Sequence, residues 1–351
     1  MPRIGRHPVK TSQEIPIPKS QQITITTIVH IPELMGFWSQ SQEVLKLFFS
    51  SLVNNTDQTF DLMVFDQGSC QQVQDYLLNL QREGMIQYLI LSQHNLRKTK
   101  AMGFLLREAP GEIIVYSDPD VYFLRGWLEH SLDILAAFPE AGMITAMPLA
   151  TNAGSYFYQQ TIEAAKKDPY TEVTTGDDLI PEDFLRAHSK SVGLEFEKYK
   201  KNRLSQRRDV LVTRNGTSAY TTAVDFQFLT TKKALENILP IWDQRSHEMA
   251  SGSNHHQRGD QIYIPVLEFE LISRGFWKLS SPDYLVHHMG NRVPDFKKEL
   301  PWIDPITFEE THKKFMEKNS SQNKNRLRQS TRIRKFIQKV HLFTYQWLYE
   351  Q

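Results

Sequence analysis

The chain has 351 residues, 40% of them hydrophobic, with 41 basic against 40 acidic side chains and a net charge of +1. This length accommodates one large α/β domain or two smaller ones, and the balanced charge excludes a global attraction to nucleic acid or another polyanion. No apolar run approaches the roughly 18 residues of a membrane span, and the single cysteine, Cys70, forms no internal disulfide and fits a reducing, cytoplasmic compartment.

In chain order, residues 1–22 place Pro2, Pro8, Pro16 and Pro18 among polar residues and read as a mobile leader without the apolar core of a signal peptide. From Ile23 onward, β-branched runs alternate with helical patterns, the signature of βαβ units and a mostly parallel, Rossmann-like sheet flanked by helices. Strands are expected at Ile23 to Pro32, Asp61 to Ser69, Ile86 to Leu91, Glu112 to Ser117 and Ala141 to Leu149. Helices are expected at Ser41 to Thr56, Gln71 to Arg82, Lys98 to Glu108 and Gly126 to Phe138. The segment 23–150 is thus one regular α/β half.

Residues 151–220 break the rhythm. Basic clusters at Lys198 to Arg203 and Arg207-Arg208 replace sustained apolar periods, which suggests an inserted, surface-facing region. Asp209 to Thr230 reads as strands around Asn215-Gly216, the pair that tight hairpins favour, and so as a hairpin rejoining the sheet. A helix at Lys232 to Ile238 follows, and 221–299 completes the same domain. The tail, 300–351, carries ten Lys or Arg and one acid, Glu317, between Lys313 and Val340. Ile333, Phe336, Ile337, Val340, Phe343 and Trp347 recur mostly at spacings of three and four, so a C-terminal helix there has an apolar stripe flanked by cations. Docking on its own domain and binding an anionic membrane surface both fit that pattern.

The stretch VYSDPDVYF, Val115 to Phe123, ends an apolar strand with Asp118-Pro119-Asp120. Strand residues two apart face the same way, so both carboxylates can point into one cleft at the strand's carboxyl end, where open α/β sheets bind ligands. Taken alone, Asp-Pro also makes an ordinary turn. Downstream, HHMGN (His287 to Asn291) follows the strand-like Asp283 to Val286 and offers an imidazole. Two carboxylates, one imidazole and phosphate oxygens suit Mn²⁺ or Mg²⁺. In RGDQIY (Arg258 to Tyr263), Asp260 is placed either as a helix cap or as a general base. Lys98 and Lys100 are placed either to contact phosphate or as the solvated start of a helix.

These pieces resemble glycosyltransferase family 2, whose members have the nucleotide-sugar-binding GT-A fold. The resemblance runs from about Ile23 to Asn291. VHIPE resembles the end of the family's first strand, and FDQGS its Asp-Asp-Gly-Ser turn, with Asp66, Gly68 and Ser69 matching and Gln67 replacing the second aspartate. APGEIIVYSDPDVYFLRGWLE resembles the segment carrying Asp-x-Asp. The wording is closest to rhamnosyltransferase-like members, many of which read Asn-Pro-Asp where this chain keeps Asp118. RGDQIY resembles the Glu-Asp motif with Gly259 in place of Glu. HHMGN resembles the late His-x-Gly element, which makes His288 the better match and His287 the reserve. Gly103 stands where an Asn is common.

The resemblance implies a metal-dependent, inverting enzyme of glycan or glycolipid synthesis, cytoplasmic or peripheral on the inner membrane face. A UDP-, GDP- or dTDP-sugar would bind at Pro32, Glu33, Asp66, Gly68, Ser69 and Asp118. Asp118, Asp120 and His288 would hold Mn²⁺ or Mg²⁺, and Asp260 would serve as base. A saccharide or lipid-linked acceptor would meet the 151–220 region, Asp225, Trp242, His255 and His256. Two rivals are weighed. A nucleotidyltransferase needs a glycine-rich basic loop after its first strand, and VHIPELMGFW has only Gly36 and no Lys or Arg. A non-catalytic carbohydrate- or nucleotide-sugar-binding protein draws support from Gln67 and Gly259, but leaves Asp118, Asp120, Asp260 and the late histidine unexplained.

Overall fold

Ile23–Val29, ITITTIV, forms strand β1 with every residue buried, as a strand covered on both faces must be. In the computed structural model, which describes residues 20–150, 156–205, 207–246 and 263–300, this strand is the spine of a ten-stranded sheet. After helix α1 (Ser41–Asn54), β2 (Asp61–Gln67) pairs in parallel with β1. Helix α2 (Gln71–Arg82) leads to β3 (Tyr88–Ser92), which pairs in parallel with β2. Helix α3 (Arg97–Glu108) leads to β4 (Ile113–Ser117) on the other flank of β1, again parallel. These four strands and their crossovers follow the sequence expectation closely.

The remaining elements fill in chain order. A short β5 (Val121–Phe123) precedes α4 (Trp127–Ala137) and β6 (Ala141–Thr145). Then come α5 (Tyr156–Lys167), β7 (Glu172–Gly176), α6 (Glu182–Ser191), α7 (Phe196–Arg203), β8 (Asp209–Arg214), β9 (Thr217–Tyr220) and β10 (Gln227–Thr231). The short α8 (Lys232–Leu235), then α9 (Tyr263–Ser273), β11 (Trp277–Ser280), β12 (Val286–His288) and α10 (Phe296–Glu299) end the described chain. The sheet order is β3-β2-β1-β4-β10-β6-β11-β9-β8-β7, with β10, β9 and β7 running against the others. The expected mostly parallel α/β sheet is therefore what forms. The expected basic C-terminal helix and residues 1–19 of the expected leader fall outside the described residues.

The region expected as an insertion is part of the sheet. β8 and β9 form the predicted hairpin, with Asn215 at φ 52° and Gly216 at φ 80° in its turn, and β9 pairs with β11. Both turn residues occupy the left-handed region that Asn and Gly tolerate best. Ile180, Leu185, Phe196, Tyr199 and Tyr220 close a small core of their own beneath α6 and α7. The apolar periods missed in the sequence are short because these helices are short.

Candidate functional site

The carboxyl ends of β1 and β2 are tied together by the Gly68-Ser69 turn. The Ser69 hydroxyl accepts from Ile31 N (2.9 Å), and Cys70 N donates to Ile31 O (2.8 Å). Gly68 has φ 72°, and an added Cβ would lie 3.2 Å from the Gln93 carbonyl oxygen, so the turn is built for glycine. Asp66, fully buried at the end of β2, accepts at Oδ2 from Ser69 N (3.3 Å) and Gln74 Nε2 (3.1 Å). Its Oδ1 is buried with no hydrogen-bond partner. Gln67, which replaces an expected aspartate, is structural: its Oε1 accepts from Leu96 N (2.7 Å) and fixes the entry into α3. Pro32 and Glu33 lie exposed in the loop after β1.

Asp118 leaves the end of β4 with its amide donating to Phe226 O (2.7 Å), which continues the antiparallel ladder between β4 and β10. That continuation brings Asp225 alongside. Lys98, at the start of α3, reaches both carboxylates: Nζ lies 2.8 Å from Asp118 Oδ2 and 3.0 Å from Asp225 Oδ2. Tyr116, two residues before Asp118 and so on the same face of the strand, donates its hydroxyl to Asp118 Oδ1 (2.7 Å). Both oxygens of Asp118 are thus engaged. Burial, with Asp120 and Asp225 nearby, holds the Asp118 carboxyl above its ordinary value against the pull of Lys98. Burial would lower the Lys98 ammonium, but Asp118 and Asp225 outweigh it and the pKa is raised. Lys98 therefore stays charged. Of the expected solvated helix start, Lys100 is exposed, whereas the Asp118–Asp225 carboxylate pair draws Lys98 inward.

Asp120 is placed by a different device. β5 is pinned to α1, where Phe123 N donates to Ser51 Oγ (3.1 Å) and Asn55 Nδ2 donates to Phe123 O (2.7 Å). Each such bond contributes about 0.5–1.5 kcal/mol net. On its other edge, β5 pairs antiparallel with β12, setting Val121 opposite His288, and Met289 N donates to Asp120 O (2.7 Å). His288 Nε2 consequently lies 3.4 Å from Asp120 Oδ2. Asp120 Oδ1 and His288 Nδ1 are both buried without a hydrogen-bond partner. Alternation along β12 turns His287 away. That imidazole meets the Tyr284 hydroxyl at 2.8 Å, and burial, with His288 beside it, pulls its pKa down to about 3.

A carboxylate with an unpaired oxygen next to an imidazole suits a divalent cation. Asp120 and His288 fit that description in this geometry, whereas Asp118 would have to release Lys98 or Tyr116 to join them. Among the described residues, no cluster of three His, Cys, Asp or Glu side chains stands ready for a metal. Trp242, expected on the acceptor side, is instead fully buried: its indole N–H donates to Thr99 O (3.3 Å), and it packs on Gly103. Packing, not ligand contact, explains that tryptophan. It also explains Gly103, where an added Cβ would come within 2.6 Å of the indole nitrogen. Asp260, His255 and His256 lie outside the described residues. Sequence reading missed the Lys98 bridge and the Tyr116 contact. The strand alternation that puts Tyr116 on the Asp118 face was the one available signal.

No helix among the described residues is long and apolar enough to cross a membrane. Residues 39–203, just under half of the chain, match the family described as Glycosyl transferase family 2. No curated protein matches the chain by sequence. Among solved structures, the chain is similar to the mannosyltransferase PcManGT from Pyrobaculum calidifontis in complex with GDP-Man and Mn²⁺, at 14% identity and a TM-score of 0.40, over 76% of this chain and 56% of that one. It is also similar to residues 1–349 of S. aureus TarS, at 12% identity and a TM-score of 0.39, over 76% of this chain and 60% of that one. A further S. aureus TarS structure gives 12% identity and a TM-score of 0.38, with 36% of that chain covered. The chain thus spans less than two thirds of each of these proteins.

Proposed function

We propose that this chain, whose residues 39–203 match glycosyl transferase family 2, is a member of that family and moves a sugar from a UDP-, GDP- or dTDP-sugar to a hydroxyl of a saccharide or lipid-linked acceptor, with inversion. One observation carries the reading. Asp66 Oδ1, Asp120 Oδ1 and His288 Nδ1 are buried and unpaired, and all three side chains sit at or just beyond the carboxyl ends of β2, β4 and β12. An unpaired buried polar group is destabilising by about 1–3 kcal/mol. Asp66 and Asp120 follow the carboxyl ends of strands of the ten-stranded sheet, and His288 is brought beside Asp120 by the separate β5–β12 pair; together they support a polar ligand that completes them.

In this reading Asp66, with Pro32 and Glu33 in the neighbouring loop, meets the nucleoside, and the Gly68-Ser69 turn holds the two strand ends at a fixed separation. Asp120 and His288 hold Mn²⁺ or Mg²⁺, and Asp118 joins them when the donor is present. When bound, the ion stabilises negative charge on the departing diphosphate more than in the ground state. Asp260 takes the proton from the acceptor hydroxyl attacking the opposite face, which contributes about 10²- to 10⁴-fold. The 151–220 region, Asp225, His255 and His256 belong to the acceptor side.

The test is a screen of nucleotide sugars, each with and without Mn²⁺, for thermal stabilisation and slow hydrolysis. Stabilisation by one sugar nucleotide that grows with Mn²⁺ is expected; none with any donor would return the chain to the binding-protein class without donor chemistry. Asp260→Asn should lose turnover by orders of magnitude while nucleotide binding is retained. The basic tail would bring the enzyme to an anionic inner membrane face. Deleting residues 326–351 should then abolish liposome association.

A further inference from the structure

Lys98 is the one cation in direct contact with the candidate site's carboxylates among the described ion pairs, and it is shared almost equally, 2.8 Å from Asp118 and 3.0 Å from Asp225. Asp120 and Asp225 both lie near enough to Asp118 to act on its carboxyl alongside Lys98, so negative charge gathers around Asp118 and favours a further cation. A divalent ion recruiting Asp118 must displace Lys98 from Oδ2. Unassisted, that displacement would strand a partly buried ammonium, a costly state. Asp225 removes the obstacle, because it already holds Lys98 at hydrogen-bonding distance and can keep it when Asp118 turns away.

Resting on the proposed metal-dependent reading, we infer that Lys98 and Asp225 form a positioning pair that sets the site's cation affinity. Lys98 is the internal competitor for Asp118, and Asp225 is the seat to which Lys98 retires when the ion arrives. The same side chains then exist in two arrangements, with Lys98 bridging both carboxylates or paired with Asp225 and released from Asp118, and a cation that binds only the second shifts the balance towards it. The bridge keeps Asp118 partnered when no ion is bound. It also makes ion loading depend on the integrity of Asp225, a residue that need not touch the ion.

The experiment is a double-mutant cycle on Mn²⁺ binding to the full chain, read as the free Mn²⁺ signal in electron paramagnetic resonance and independent of turnover. Lys98→Met should tighten Mn²⁺ about tenfold by removing the competitor. Asp225→Asn should weaken it about tenfold, because Lys98 then loses its second carboxylate seat and stays on Asp118. In the Lys98→Met background, Asp225→Asn should change affinity less than twofold, since there is no ammonium left to seat. If Asp225→Asn weakens Mn²⁺ equally in both backgrounds, the effect is only the loss of a nearby charge and the inference is overturned. It is overturned too if Lys98→Met leaves affinity unchanged. Should Lys98→Met not fold, Lys98→Gln, which keeps hydrogen bonds without charge, replaces it with the same expectation. If neither wild type nor the lysine variants bind Mn²⁺, the metal reading itself falls. If wild type binds but the cycle shows no coupling, only the pair's role falls.

Discussion

Asp66 and Asp209 are both fully buried, at opposite ends of the same sheet, and they are treated in opposite ways. At the antiparallel end, Asp209 accepts from Ile180 N (3.1 Å) and from Arg207 at both oxygens, and Arg207 also donates to Ile180 O (3.0 Å). The neighbouring Arg214 is likewise held by Glu140 and Asp168 and stacks on Phe138 and Trp277. At the parallel end, Asp66 and Asp120 each leave an oxygen unpaired. A saturated buried carboxylate is a brace; an unsaturated one at strand ends is what supports the proposed ligand site. Burial alone does not separate the two, and the hydrogen-bond inventory does.

The comparison breaks most decisively at Asp120. Asp120→Asn should lower donor hydrolysis on the order of 10³-fold, about 4 kcal/mol in barrier, while the melting temperature holds or rises. A fall in stability with turnover intact would make Asp120 a brace after all. Arg207→Met is the converse case: stranding Asp209 should cost about 3 kcal/mol in urea unfolding, with donor affinity unchanged. A smaller effect is expected at Gly103. Gly103→Ala forces a methyl group against Trp242 and should cost about 1–2 kcal/mol, and a Trp242→Phe background should relieve part of it. A further effect is one of pH. The folded His287 pKa, about 3, lies below the ordinary 6.5, so the unfolded chain takes up a proton that the folded one refuses. This contribution to stability is complete above pH 6.5 and is lost progressively as pH falls towards 3. His287→Gln should flatten the melting-temperature profile in that window, and an unchanged slope would assign the acid sensitivity elsewhere.

The first four strands, their crossovers and the Asn215-Gly216 hairpin were legible because each is written in local period and turn chemistry. The short β5 was not, since a strand of three residues carries no period; its place depends on Ser51 of α1, on Asn55 just after that helix and on β12. Asp66, Asp118, Asp120 and His288 could be singled out as candidates, but their division of labour could not. Trp242 read as an acceptor-side residue, whereas Gly103, far from it in sequence, makes the space that buries it.

By itself, then, the sequence determined the α/β class, the order of the carboxylates along the chain and the placement of Asp118 and Asp120 at a strand's end, because strand and helix periods are local properties of the chain. Tertiary structure alone decided that Asp118 is paired with Lys98 while Asp120 faces His288. Those pairings join residues 20 and 168 positions apart: the first follows from α3 packing beside β4 and the second from β12 closing on β5. Long-range pairing of this kind is fixed by which strand ends the folded sheet brings level, and no local pattern encodes that.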